Sequence, residues 1–225
     1  MRDIILLHGA IGAKDQLNLL ADLLKQYGYT VHCLNFSGHG KTPFNDQFGI
    51  DQFASELEAY INSNDLKHPH VFGYSMGGYV ALYLAKLNTT CLGNIITLGT
   101  KFSWSPEIAA KEVKMLDPKV IAEKVPKFAD TLKMRHGSDW ETLMLATAKM
   151  MYDLGEDNIL NELSTIENKV MIGLADKDNM VSLDETLTIY HQLKNASMYM
   201  LPGTKHPIET VNVGLLAKLI NDFTR

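Results

Sequence analysis

Six short apolar runs recur along this 225-residue chain: "DIILLHG", "YTVHCLNF", "HPHVFG", "GNIITLG", "NKVMIGLA" and "ASMYMLPG". Between them lie apolar residues at three- and four-residue steps, as in Leu17, Leu20 and Leu24 or Phe53, Leu57 and Ile61. The alternation of strand-like and helix-like segments implies βα units and a parallel sheet. Strands covered on both faces by crossover helices carry apolar residues at nearly every position instead of at every second one. The fold class expected is therefore α/β: a mostly parallel sheet of about six strands with helices on both faces.

One interval breaks the rhythm. After "IITLGT" no strand pattern returns until "NKVMIGLA", and the roughly 65 residues between read as several helices with Pro106, Pro118 and Pro126 as punctuation. The expected organisation is a single domain over residues 1–225 with a helical insertion at about 101–165. The stretch from Lys101 to Arg135 has a local charge of +3, which reads as a solvated helical face.

Apolar residues at 46% and charged residues at 21% describe a chain packed throughout, without a disordered tail. A net charge of -5 with no block of Lys and Arg excludes nucleic acid as the main partner, because phosphate binding needs clustered cations. A small molecule is the expected partner. Cys33 and Cys91 sit in or beside apolar runs and read as reduced thiols. Neither a CxxC nor an HExxH pattern occurs, so no metal and no cofactor is expected. The four apolar residues after "MRD" are too few for a signal peptide or a membrane span, and a cytoplasmic location is the expectation.

The chemistry begins at "HVFGYSMGGYVALYLA", where Gly73, Gly77 and Gly78 crowd around Ser75. "GYSMG" fits GxSxG, preceded by an apolar run and followed by a helical one. In a tight strand-to-helix turn the apical residue is strained, and side chains at the flanking positions would collide with the adjoining strand and helix. The Met76 N–H then opens a helix, where unpaired donors favour negative charge. A serine nucleophile also needs a base oriented by a carboxylate. His206 follows the last strand in "LPGTKHPIE", and Asp176 and Asp178 follow the strand before it in "GLADKDNMV". Strand parity does not separate the two aspartates.

With these residues in order, the chain resembles the α/β-hydrolase superfamily from "LLHGAIG" to the final helix. The resemblance implies a triad of Ser75, Asp178 and His206. Asp178 is favoured because "DNMV" resembles the family's acid followed by a branched apolar residue. An oxyanion hole would be formed by the backbone N–H groups of Ala10 and Met76, and Phe36 to Thr42 should line one wall. By the same resemblance the insertion is a lid, with Phe102, Trp104 and Trp140 as substrate-binding residues. Lys101 and His136 are further candidates, and Met115, Met134, Met144, Met150 and Met151 could form an adaptable lining. His8 and His39 lie in glycine loops and read as holders of backbone, whereas His32, His68, His70 and His191 have no constellation around them.

The chain also departs from the family pattern. It reaches "DIILL" almost at once, implying a minimal sheet; Lys205 stands where a glycine usually precedes the base; and Ala10 replaces a larger apolar residue. The activity implied is hydrolysis of a small carboxylic ester or thioester through an acyl-enzyme. "GYSMGG" also resembles the menaquinone-pathway synthase and the carbon–carbon bond hydrolases of this superfamily, although Tyr79 stands where the synthase commonly has arginine. A ligand-binding relative with negligible turnover is the third reading.

Overall fold

The computed structural model describes residues 2–160 and 162–225. Its six strands are β1 (Arg2–Leu7), β2 (Tyr29–Leu34), β3 (His70–Tyr74), β4 (Ile95–Leu98), β5 (Val170–Ala175) and β6 (Ala196–Leu201), one for each apolar run. They form one sheet in the order β2-β1-β3-β4-β5-β6, and every pairing is parallel. Helices α1 (Asn18–Gln26) and α9 (Val213–Phe223) cover one face, and α2 (Ile50–Ser63), α3 (Met76–Leu87) and α8 (Leu183–Gln192) cover the other.

Strand alternation divides the core between these layers. Ile5, Leu7 and Val71 join the cluster under α2 and α3, whereas Ile4, Leu6 and Phe72 point to the cluster under α1 and α9. All six side chains are fully buried, so both faces of the central strands have to be apolar.

Among the described residues four α-helices stand between β4 and β5: α4 (Pro106–Glu112), α5 (Pro118–Lys124), α6 (Pro126–His136) and α7 (Trp140–Glu156). The three prolines do not interrupt helices; each opens one, at the position where a missing N–H costs nothing. Ser105 and Asp117 cap α4 and α5, accepting hydrogen bonds from the amides of Ile108 and Lys119. Leu116, Ile121, Ala129, Leu132, Trp140 and Met144 bury one another in a small core of the insertion's own. Cys33 and Cys91 are free and half-buried. Among the described residues no helix is long and apolar enough to cross a membrane, and no group of three or more His, Cys, Asp or Glu side chains is arranged so that it could hold a metal ion.

Candidate active site

The connections from β1 to β2 and from β3 to β4 leave in opposite directions across the sheet, and between the carboxyl ends of β1 and β3 this opens the crevice where α/β sheets bind ligands. Ser75 lies at that point, between β3 and α3. Its φ of 52° and ψ of -116° are costly for a residue with a side chain, by about 1–3 kcal/mol. The next strand holds the turn in place. The Ser75 N–H donates to the Leu98 carbonyl at 2.8 Å, and the Thr100 hydroxyl donates to the Ser75 carbonyl at 3.0 Å.

The crowding of glycines follows from the path of α3. A Cβ on Gly73 would stand 2.5 Å from the Gly77 carbonyl oxygen, and one on Gly77 would stand 2.5 Å from the carbonyl oxygen of Leu7. The helix thus starts in direct contact with the backbone of β1 and β3. Any side chain at either position would push α3 off the sheet and move Ser75 with it.

Asp178 and His206 come from the loops after β5 and β6. Asp178 Oδ2 lies 2.7 Å from His206 Nδ1, while its Oδ1 accepts from the amides of Met180 and Val181 at 2.8 and 3.0 Å. The aspartate side chain is fully buried. Burial alone would raise its pKa; the His206 hydrogen bond and charge, with the two backbone donors, outweigh that and hold it below the ordinary value. Asp176 does not reach the imidazole. Its Oδ1 accepts from the Thr204 amide at 3.0 Å and ties the two loops together. Lys205 is exposed. A residue that sequence reasoning passed over, Tyr74, donates its hydroxyl to the His206 carbonyl at 2.8 Å and fixes the histidine loop against the end of β3. Its position immediately before Ser75, on the opposite face of the strand, was the available signal.

Ser75, Met76, Ala10 and His206 all line one cavity of about 500 Å³, its mouth included. The Ser75–His206 hydrogen bond itself is not formed, a closure that often completes only in the substrate complex. The amides of Ala10 and Met76 donate to no other group among the described residues. Of the insertion, Trp104, Glu112, Met150, Met151 and Leu154 reach the cavity, together with Lys101. Phe102 and Trp140 do not. Phe102 is buried in the cluster shared with α3, where its amide donates to Glu185, and Trp140 is buried in the insertion's own core. Met144 is in that core too, while Met115 and Met134 face solvent.

His8, His39 and His136 form a buried group beside the site, with ring centroids 4.8 Å apart for the first pair and 6.1 Å for the second. His8 Nδ1 donates to the Gly9 carbonyl while Nε2 accepts from the Phe36 amide. His136 Nε2 donates to the Ile11 carbonyl at 2.9 Å while Nδ1 accepts from the Gly40 amide at 3.0 Å. The His8 and His136 rings thus each give one proton and receive one, a pattern that only neutral imidazole can satisfy. His136 is not a cavity residue; it clamps α6 to the loops after β1 and β2.

Comparison with known proteins agrees with this architecture. A probable alcohol acetyltransferase of Saccharomyces cerevisiae is 30% identical over 89 residues, which is 38% of this chain and 26% of that protein. The match thus spans about a quarter of that relative. A carboxylesterase of Bacillus subtilis is 23% identical over 205 residues, 85% of this chain and 78% of the relative. The structure of MenH from S. aureus superposes with a TM-score of 0.79 at 20% identity, covering 99% of this chain and 92% of that one, a likeness of fold. The model of the alpha/beta hydrolase fold family matches residues 4–163, from β1 through the glycine-flanked serine to the end of the insertion, and the chain belongs to that family.

Proposed function

We propose that this protein is a serine hydrolase that cleaves a small carboxylic ester or thioester through an acyl-enzyme intermediate. One observation carries the reading: the 2.7 Å contact of Asp178 with His206 lies at the cavity into which the strained turn presents Ser75. With Asp178 ionised and bound to Nδ1, His206 keeps its proton there and leaves Nε2 free as a base. His206 takes the Ser75 proton as the hydroxyl oxygen attacks the substrate carbonyl. The tetrahedral oxyanion is then held by the Ala10 and Met76 amides, each worth about 3 kcal/mol in such sites. Collapse expels the alcohol or thiol, protonated by His206, and water repeats the sequence with the acyl group leaving as acid.

The chain works as one domain in this reading, with the segment at about 101–165 as a lid that selects the substrate. Its Met150, Met151 and Leu154 give the cavity an apolar wall, which suits a short acyl chain. The synthase-like reading is less well supported: no arginine lines the cavity among the described residues, and the Tyr79 hydroxyl donates to Asn158. A fluorophosphonate probe tests the proposal. It should label Ser75 in the wild type and leave Ser75→Ala and His206→Ala unlabelled, and the wild type should hydrolyse short p-nitrophenyl esters. Labelling without turnover would move the assignment to the synthase-like or ligand-binding class.

A further inference from the structure

Two glutamates from different elements are buried near the cavity, and their surroundings differ sharply. Glu185, at the start of α8, has both oxygens occupied: Oε1 accepts from the Ser182 amide, and Oε2 accepts from the amides of Phe102 and Ser103. Glu112 closes α4 and is 5% exposed, yet neither of its oxygens has a hydrogen-bond or ion-pair partner among the described residues, and its Oε2 is wholly buried. Buried carboxylates are normally satisfied, since leaving one without donors is expensive. Glu112 lines the cavity that contains Ser75 and His206.

No described residue supplies the missing donor. Lys101 is the other charged residue of the insertion at the cavity, and its ammonium is committed elsewhere: it donates to the Met180 carbonyl at 2.8 Å and lies 3.9 Å from Glu185 Oε1. Trp104 also lines the cavity, and its buried indole N–H has no acceptor among the described residues. One acceptor and one donor without protein partners among the described residues therefore belong to side chains that line the cavity.

On the reading of the site as a serine hydrolase, we propose that Glu112 is a specificity-determining residue that accepts a hydrogen bond from the substrate. The group it selects both donates and accepts, so that Trp104 is satisfied as well: an alcohol hydroxyl or a primary carboxamide, carried on the body of the ester away from the scissile carbonyl. An unsubstituted alkyl ester leaves Glu112 unpaired. A polar-ended ester completes it. Discrimination of this kind is steep because it penalises the wrong substrate rather than only rewarding the right one.

The test uses the whole protein and matched pairs of esters. Ethyl esters of alkanoic acids of four to eight carbons are compared with their ω-hydroxy and ω-carboxamide counterparts, and butyl acetate with ω-hydroxybutyl acetate for a group on the alcohol side. At one chain length the wild type should favour the polar member by roughly tenfold or more in kcat/KM. Glu112→Leu should reverse that preference, and Glu112→Gln, whose amide oxygen still accepts, should keep part of it. Thermal unfolding separates this role from a structural one: Glu112→Leu removes a carboxylate with no partner and should melt at or above the wild-type temperature. A preference for the unsubstituted ester at every length, a polar preference that survives in Glu112→Leu, or a clear fall in melting temperature would each overturn the inference. Normal labelling of Ser75 with ester turnover but no polar preference sinks this inference alone, whereas no labelling sinks the hydrolase reading beneath it.

Discussion

Acidification from about pH 7.5 to about pH 5 should weaken the fold through His8 alone by about 2 kcal/mol. The imidazole is fully buried, edge-on to Phe36 at 5.1 Å and tilted against His39 at 4.8 Å. Burial is the largest influence and lowers its pKa from 6.5 to about 4; the hydrogen bond to the Gly9 carbonyl opposes this, and the nearby His136 and Arg135 add to it. The unfolded chain therefore binds a proton near pH 6.5 that the folded chain refuses until about pH 4, and stability falls as the pH drops through that window. The full shift corresponds to about 3 kcal/mol at the acid end. His39 and His136, both lowered chiefly by burial, act in the same direction. Asp178, held below its ordinary 3.8, loses its contribution only at still lower pH and does not intrude. Urea denaturation of the wild type and of His8→Gln across this range measures the effect. The variant starts less stable, having lost a fitted ring, so the slope of unfolding free energy against pH is the diagnostic. A flatter slope in His8→Gln is expected; identical slopes would mean that His8 is not the buried neutral ring described above.

Three further outcomes follow from the geometry. Asp178→Asn should lower kcat for ester hydrolysis by roughly 10⁴-fold, as the corresponding change does in serine proteases, while Asp176→Asn should cost less than about tenfold; equal losses in parallel kinetics would dissolve the distinction between them. Gly77→Ala forces a methyl to within 2.5 Å of the Leu7 carbonyl oxygen and should destabilise the protein by about 3 kcal/mol in chemical denaturation, with a change below about 0.5 kcal/mol contradicting the packing described. Ala10→Phe, at the cavity wall, should shift activity toward shorter acyl chains; an unchanged chain-length profile would place Ala10 away from the acyl group.

The sheet was readable because burial on both faces leaves a parallel strand few positions for polar residues, as the fully buried Ile4 to Leu7 show. That an aspartate and His206 follow neighbouring strands β5 and β6 was readable from the order of the apolar runs, whereas the choice of Asp178 over Asp176 came from the resemblance of "DNMV" to the family's acid, and the structure brings Asp178 to the imidazole. The insertion was harder. Its helices were evident from three prolines and apolar spacing, but which side of α7 faces the cavity depends on how four helices settle on one another. Thus Met150 and Met151 reach the cavity, Met144 is enclosed one helical stretch earlier, and Trp140 fills the insertion's own core. Phe102 was expected at the substrate and instead packs in the buried cluster shared with α3. Glu112 carried no signal, because a glutamate at the end of a charged helix looks the same whether it meets water or a cavity.

His136 bears on how this scaffold can be re-engineered. One imidazole bonds α6 to Ile11, next to the proposed oxyanion residue, and to Gly40 in the loop beyond β2. Chimeras that transplant the 101–165 segment from a relative will cut both tethers unless the donor brings a matching ring and the recipient loops that receive it. The transferable module is then three separate pieces of chain, and exchanging the helical piece by itself should unsettle the very loop on which turnover is proposed to depend.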